Sequence, residues 1–116
     1  MTAMAGPAHL PPPQDLEHAV DVLRLLADRT RLAILALLAE GEISVSDIAE
    51  ALGRPGTVIS QHLAKLRAGG LVTPRREGTT IYYSQPDEHV AELVRNILQH
   101  SEHALYSDPP HHRPDR

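Results

Sequence analysis

Cysteine, phenylalanine and tryptophan are all absent from this chain of 116 residues, and tyrosine occurs three times. Without thiols there is no disulfide and no thiolate metal site, so any metal chemistry falls to imidazoles and carboxylates. With so few aromatics the core has to be aliphatic. No run of ~18 apolar residues is present that would span a bilayer, and no charged-then-apolar leader opens the sequence. The expectation is therefore a cytoplasmic protein with no membrane partner. The length suits one domain around one modest core, and no internal repeat is visible.

The net charge of −4 argues against a nucleic-acid partner only if the total is considered. From Ala51 to Pro86, Glu77 is the one carboxylate against Arg54, Lys65, Arg67, Arg75 and Arg76, which makes that third of the chain locally +4. A basic patch on an acidic protein is the electrostatic footprint of phosphate binding. At the ends, residues 1–14 are small, Ala/Pro-rich and read as a disordered arm, and residues 107–116 form a flexible His/Pro-rich tail. The domain lies between them, over 15–106.

Within it, Leu16, Ala19, Val20, Leu23, Leu26 and Ala27 recur at helical spacing from Asp15 onward. Asp28 suits the N-cap of a second helix, Arg29 to Ala39, which is apolar almost all round and so belongs at the buried centre. Ser44 or Ser46 caps a short helix through Leu52, which Gly53 ends; after Arg54-Pro55-Gly56 another helix runs to Ala68 and stops at Gly69-Gly70. Two short helices around a glycine turn, the second polar and basic, are the helix-turn-helix pattern. Two β-prone runs around Glu77-Gly78 follow as a hairpin, and a last helix runs from near Pro86 to Tyr106. The fold class is mainly α with a small β-hairpin: a winged helix-turn-helix dimerising through its terminal helices. Thr57, Ser60, Gln61 and His62 are the candidates for base edges or phosphates, and Arg54, Lys65, Arg67, Arg75 and Arg76 the cations for the backbone.

The last helix carries Asp87 and His89, then, after ten residues, His100 and His103. Three imidazoles and a carboxylate make a full ligand set for a first-row transition metal. At ~1.5 Å per residue, His89 and His100 lie roughly 16 Å apart along a helix, whereas ligand bonds are only ~2 Å long. One helix cannot close the site. An antiparallel second copy can, which predicts a homodimer with two symmetric sites. At ~100° per residue the three histidines share one narrow face, with Val90, Val94, Ile97 and Ser101 beside it. A zinc hydrolase needs an open metal position beside a general base; four ligands fill this one, so the protein is not read as an enzyme.

These segments resemble the ArsR family of bacterial metal-responsive repressors: Leu25-Leu26-Ala27-Asp28-Arg29-Thr30-Arg31-Leu32, Ile48-Ala49-Glu50-Ala51-Leu52-Gly53, Ile59 through Arg67, Gly70-Leu71-Val72, and Arg75-Arg76-Glu77-Gly78 before Tyr82-Tyr83. The resemblance covers about Leu16 to Tyr106. It implies a repressor that binds double-stranded operator DNA as a dimer and is released when metal binds. In this family a C-terminal-helix site is commonly built across the dimer from an Asp-x-His and a His-x-x-His pair, here Asp87, His89, His100 and His103. His100 is the ligand that the resemblance singles out to pass the signal towards the DNA-binding helices. Serines 44 and 46 stand where another family site has cysteines, which excludes thiolate sensing of arsenite, lead or cadmium. The pattern looks most like the nickel/cobalt branch, though zinc suits four such ligands equally; His111, His112 and His9 are extra candidates for a metal that takes more. The alternative is a winged-helix regulator with a structural metal or none and a different inducer. Pro55-Gly56 also departs from the family's usual capping residue, and the expectation from it is a first turn that orders on DNA.

Overall fold

A computed structural model of the chain describes residues 9–106. The disordered-arm reading of the first eight residues, and the tail with His111 and His112, fall outside it. The order of elements is α1 (Pro13–Leu26), α2 (Arg29–Leu38), β1 (Ile43–Ser44), α3 (Val45–Leu52), α4 (Gly56–Ala68), β2 (Thr73–Glu77), β3 (Thr80–Ser84) and α5 (Glu88–Tyr106). This is a winged helix-turn-helix. Among the described residues no helix is long and apolar enough to cross a membrane.

Local chemistry accounts for most boundaries. α1 starts at Pro13, two residues before the expected Asp15, because a proline in the first turn loses no hydrogen bond that the helix would have made. The Asp28 carboxylate accepts from the backbone N–H of Arg31 at 2.9 Å and caps α2. Of the two candidate serines, Ser44 caps α3, accepting from Asp47 N–H at 3.1 Å. Gly53 closes α3 at φ +63°, the left-handed conformation that a side chain disfavours. α4 has no side-chain cap, yet the Pro55 carbonyl accepts from both Val58 and Ile59 N–H. Its first turn is helical without a side-chain cap.

The hairpin is larger than expected. β1 joins it to make a three-stranded antiparallel sheet, order β1-β3-β2, with Ile43 opposite Tyr83 and Ser44 opposite Tyr82. A two-residue strand has no periodicity to read, and its partner lies forty positions later in the chain. β2 and β3 pair from Thr73–Ser84 to Glu77–Thr80, leaving Gly78-Thr79 as a tight loop in which Gly78 takes φ +64°.

The core is aliphatic and runs through the helices. Ile34, Leu35, Ile48, Ile59, Leu63, Leu66 and Val94 are fully buried, with Leu26, Leu38, Leu71 and Val72 nearly so. α2 is its centre, as its all-round apolarity requires. α5 lies on α2 through Ala91 and Val94, with Val90 and Ile97 packed at the margin. The Gln85 side chain donates to the Leu35 carbonyl at 2.9 Å and pins the connector that starts α5.

Candidate DNA-reading surface and metal-ligand face

α4 separates its faces cleanly. Ile59, Leu63 and Leu66 point into the core, which turns Thr57, Ser60 and Gln61 outward, all exposed and within roughly 100° of one another around the helix. Lys65 and Arg67 are also exposed and flank that stripe. An outward row of hydroxyl and amide groups between two cations has the chemistry for base edges bordered by phosphates.

Of the remaining sequence candidates, Arg54, His62 and Arg75 are held by other groups. Arg54 donates to the Thr30 hydroxyl at 3.0 Å, tying the α3–α4 turn to the start of α2. His62 is turned towards α2. Its side chain is 19% exposed, and its Nδ1 lies 3.3 Å from Arg31 Nη1 and 3.9 Å from an Asp28 oxygen. A guanidinium only donates, so the contact with Arg31 requires an Nδ1 lone pair. Arg31 itself is 13% exposed and donates through Nε to the Leu25 carbonyl at 2.7 Å. Three elements meet there: the C-terminal end of α1, the cap of α2 and the middle of α4. The backbone bond from Arg31, helped by the Arg31 charge and opposed by partial desolvation, holds the Asp28 carboxyl below its ordinary 3.8. Sequence reasoning found Asp28 as a cap but missed Arg31, whose partner His62 is 31 residues away with no local signal.

In the wing, Arg75 is bound by two carboxylates, Glu42 and Glu77, while Arg76 is exposed. Among the described residues no partner is seen for Arg76.

α5 presents the four ligand candidates away from the chain's own core. Ala91 and Val94 mark the buried side, while Asp87, His89, His100 and His103 are all exposed. By the ~100° step, the histidine face is centred roughly 115° from the Val90–Val94–Ile97 stripe. One Asp87 oxygen accepts from the His89 backbone N–H at 2.9 Å, so the carboxylate caps the helix start. Asp87 also lines a shallow cleft with Glu40, Glu42 and Glu88. The Asp87–His89 and His100–His103 pairs sit at opposite ends of α5, and among the described residues of one chain no three ligating side chains come together. The donor chemistry fits a transition metal only if a second chain supplies half the set. His9 lies on the coil before α1.

A second surface is unpartnered. Leu16, Val20 and Leu23 recur at helical spacing along α1 and are 46, 41 and 54% exposed; Leu93, Leu98 and Leu105 are similarly exposed on α5.

The comparisons agree with this architecture. A family model described as a helix-turn-helix domain matches residues 26–75. The chain is 48% identical over 113 residues to the HTH-type transcriptional regulator KmtR of Mycobacterium tuberculosis, covering 97% of this chain and 86% of that one. It is 38% identical over 92 residues to the HTH-type transcriptional repressor SmtB of the same species, covering 78% and 68%. Among solved structures, the homodimeric winged helix-turn-helix DNA-binding domain of an ArsR-family candidate from Mycobacterium bovis superposes with a TM-score of 0.75 at 40% identity, covering 82% of this chain and 88% of that one.

Proposed function

The chain belongs to the ArsR family of helix-turn-helix transcriptional regulators, and from that premise we propose that it is a metal-sensing repressor. It binds a two-fold symmetric operator as a homodimer and is released when Ni²⁺, Co²⁺ or Zn²⁺ is held between paired α5 helices. The observation that carries this reading is the ligand face of α5. Four exposed donors, split into two pairs at opposite ends of one helix and turned from the chain's own core, can complete a four-ligand site only across a dimer.

In this reading Asp87 and His89 of one chain and His100 and His103 of its partner hold the ion, and the exposed leucines of α1 and α5 form the dimer seam. Thr57, Ser60 and Gln61 read base edges, while Lys65, Arg67 and Arg76 fix the register on phosphates. Release requires that the ion bind the free dimer more tightly than the DNA-bound one, with a coupling of ~1–3 kcal/mol or more. By linkage, the operator weakens metal binding by the same factor.

The test is a fluorescence-anisotropy titration of the DNA-bound full chain with each of the three ions. Release is expected from the wild type, with its loss in His89→Ala and in His103→Ala. A variant lacking His111 and His112 separates the metals: nickel release that disappears there assigns those imidazoles to a nickel site with more than four ligands. Operator affinity that no metal alters refutes the sensing reading and leaves a regulator with another inducer.

A further inference from the structure

The outer strand of the wing has almost no core beneath it. Of the five residues of β2, only Pro74 is even half-buried, whereas β3 is half-buried throughout and Tyr83 packs on the core, so packing anchors β3 but does not by itself aim β2. One side chain spans it instead. Arg75 on β2 faces Tyr82 on β3, and its guanidinium carbon lies over the Tyr82 ring, 4.8 Å from the centroid. Beyond that ring its Nε and Nη2 donate to the two oxygens of Glu42, at 2.9 and 2.8 Å, immediately ahead of β1. Its Nη1 donates to Glu77 at 3.1 Å, at the end of β2. β3 is the middle strand, so this one residue reaches from one outer strand, across the centre, to the foot of the other.

We propose that Arg75 is a wing-positioning residue, a staple between Glu42 and the hairpin, and that Arg76 is the wing's phosphate contact. The inference rests on the DNA-binding reading above for its consequence, though not for its geometry. The charges decide between the two arginines. Glu42, Arg75 and Glu77 together carry −1, so a phosphate approaching Arg75 meets a net anionic group. Arg76 is next in a strand whose side chains alternate, so it projects from the other face of the hairpin, away from those carboxylates. The bidentate fork with a ring beneath it also needs a planar guanidinium, and a lysine cannot replace it. The Arg75 hydrogen bonds accordingly hold the Glu42 carboxyl below its ordinary value.

Two measurements on the full-length protein test this. The first is amide exchange of residues 76–80 in the free protein, which needs no DNA. Arg75→Lys and Glu42→Gln are expected to speed it several-fold; unchanged exchange in both overturns the staple. The second is affinity against salt for a DNA duplex selected from a random pool by the wild type. Arg76→Ala is expected to flatten the log–log slope by about 0.9, the loss of one phosphate. Arg75→Lys and Glu42→Gln are expected to weaken binding roughly three- to tenfold with the slope unchanged, as befits loss of register rather than of a phosphate contact. If Arg75→Lys binds like the wild type and Glu42→Gln binds more tightly, Arg75 is itself the phosphate contact and the proposal is wrong. A wild type that binds no duplex sinks the DNA-binding reading instead, while the exchange data still decide the staple.

Discussion

Replacing Arg31 with methionine should loosen the joint between α1, α2 and α4, and its cost follows from the bonds lost. Methionine keeps an apolar stem of similar length, so the change is confined mainly to the guanidinium. The largest loss is the charged bond to the Leu25 carbonyl at 2.7 Å, because hydrogen bonds to charged groups contribute ~1.5–3 kcal/mol. The bond to the Arg24 carbonyl, at 3.4 Å and exposed, adds little, and so does the 3.7 Å approach to Asp28. The sum is about 2 kcal/mol, which for a domain of this size lowers Tm by roughly 8–16 °C. Calorimetry at one fixed protein concentration is the assay, because the proposed dimer would make Tm depend on concentration. His62→Ala should cost about 1 kcal/mol or less, and the double variant less than the sum of the two, because both break the same contact. A shift under about 2 °C for Arg31→Met, or strict additivity with His62→Ala, refutes the idea that this network holds α4 in place.

Three further outcomes are expected. Asp28 has a folded-state pKa below its ordinary 3.8, so its contribution is complete above that value and is lost as pH falls through the lower folded one. Asp28→Asn, which can still cap α2, should flatten the acid limb of stability against pH below about 4; an unchanged limb in a pH-dependent urea titration contradicts the assignment. Gly53→Ala forces a side chain to φ +63° and should cost ~1–2 kcal/mol, read as a lower denaturant midpoint with an unchanged m-value. Leu23→Glu, at a position 54% exposed in the single chain, should shift the protein to monomer in sedimentation, and a persistent dimer excludes this face of α1 from the seam.

The elements that could be read in advance are those whose signals are local. The Asp28 cap, the Gly53 stop, the apolar α2 and the Gly78 hairpin loop each depend on a few adjacent residues, and each appears where its residues place it. β1 was not legible, because two residues carry no period and its pairing comes from a distant strand. For the same reason Arg75 read as one more cation in a basic stretch; only folding brings Glu42, 33 residues away, against it.

What the amino-acid order alone determined is the donor chemistry and its spacing: no thiols, and two candidate ligand pairs too far apart on one helix to share an ion. Helical periodicity is enough for that, because it is a property of the chain rather than of its surroundings. The tertiary structure decided which face of α5 is spent on the core, and hence that Asp87, His89, His100 and His103 remain exposed. It also decided that His62 turns towards Arg31 and that Arg75 is already occupied. Those outcomes depend on what each side chain meets after folding, and charge and hydrogen-bond partners drawn from thirty residues away leave no trace in a local pattern.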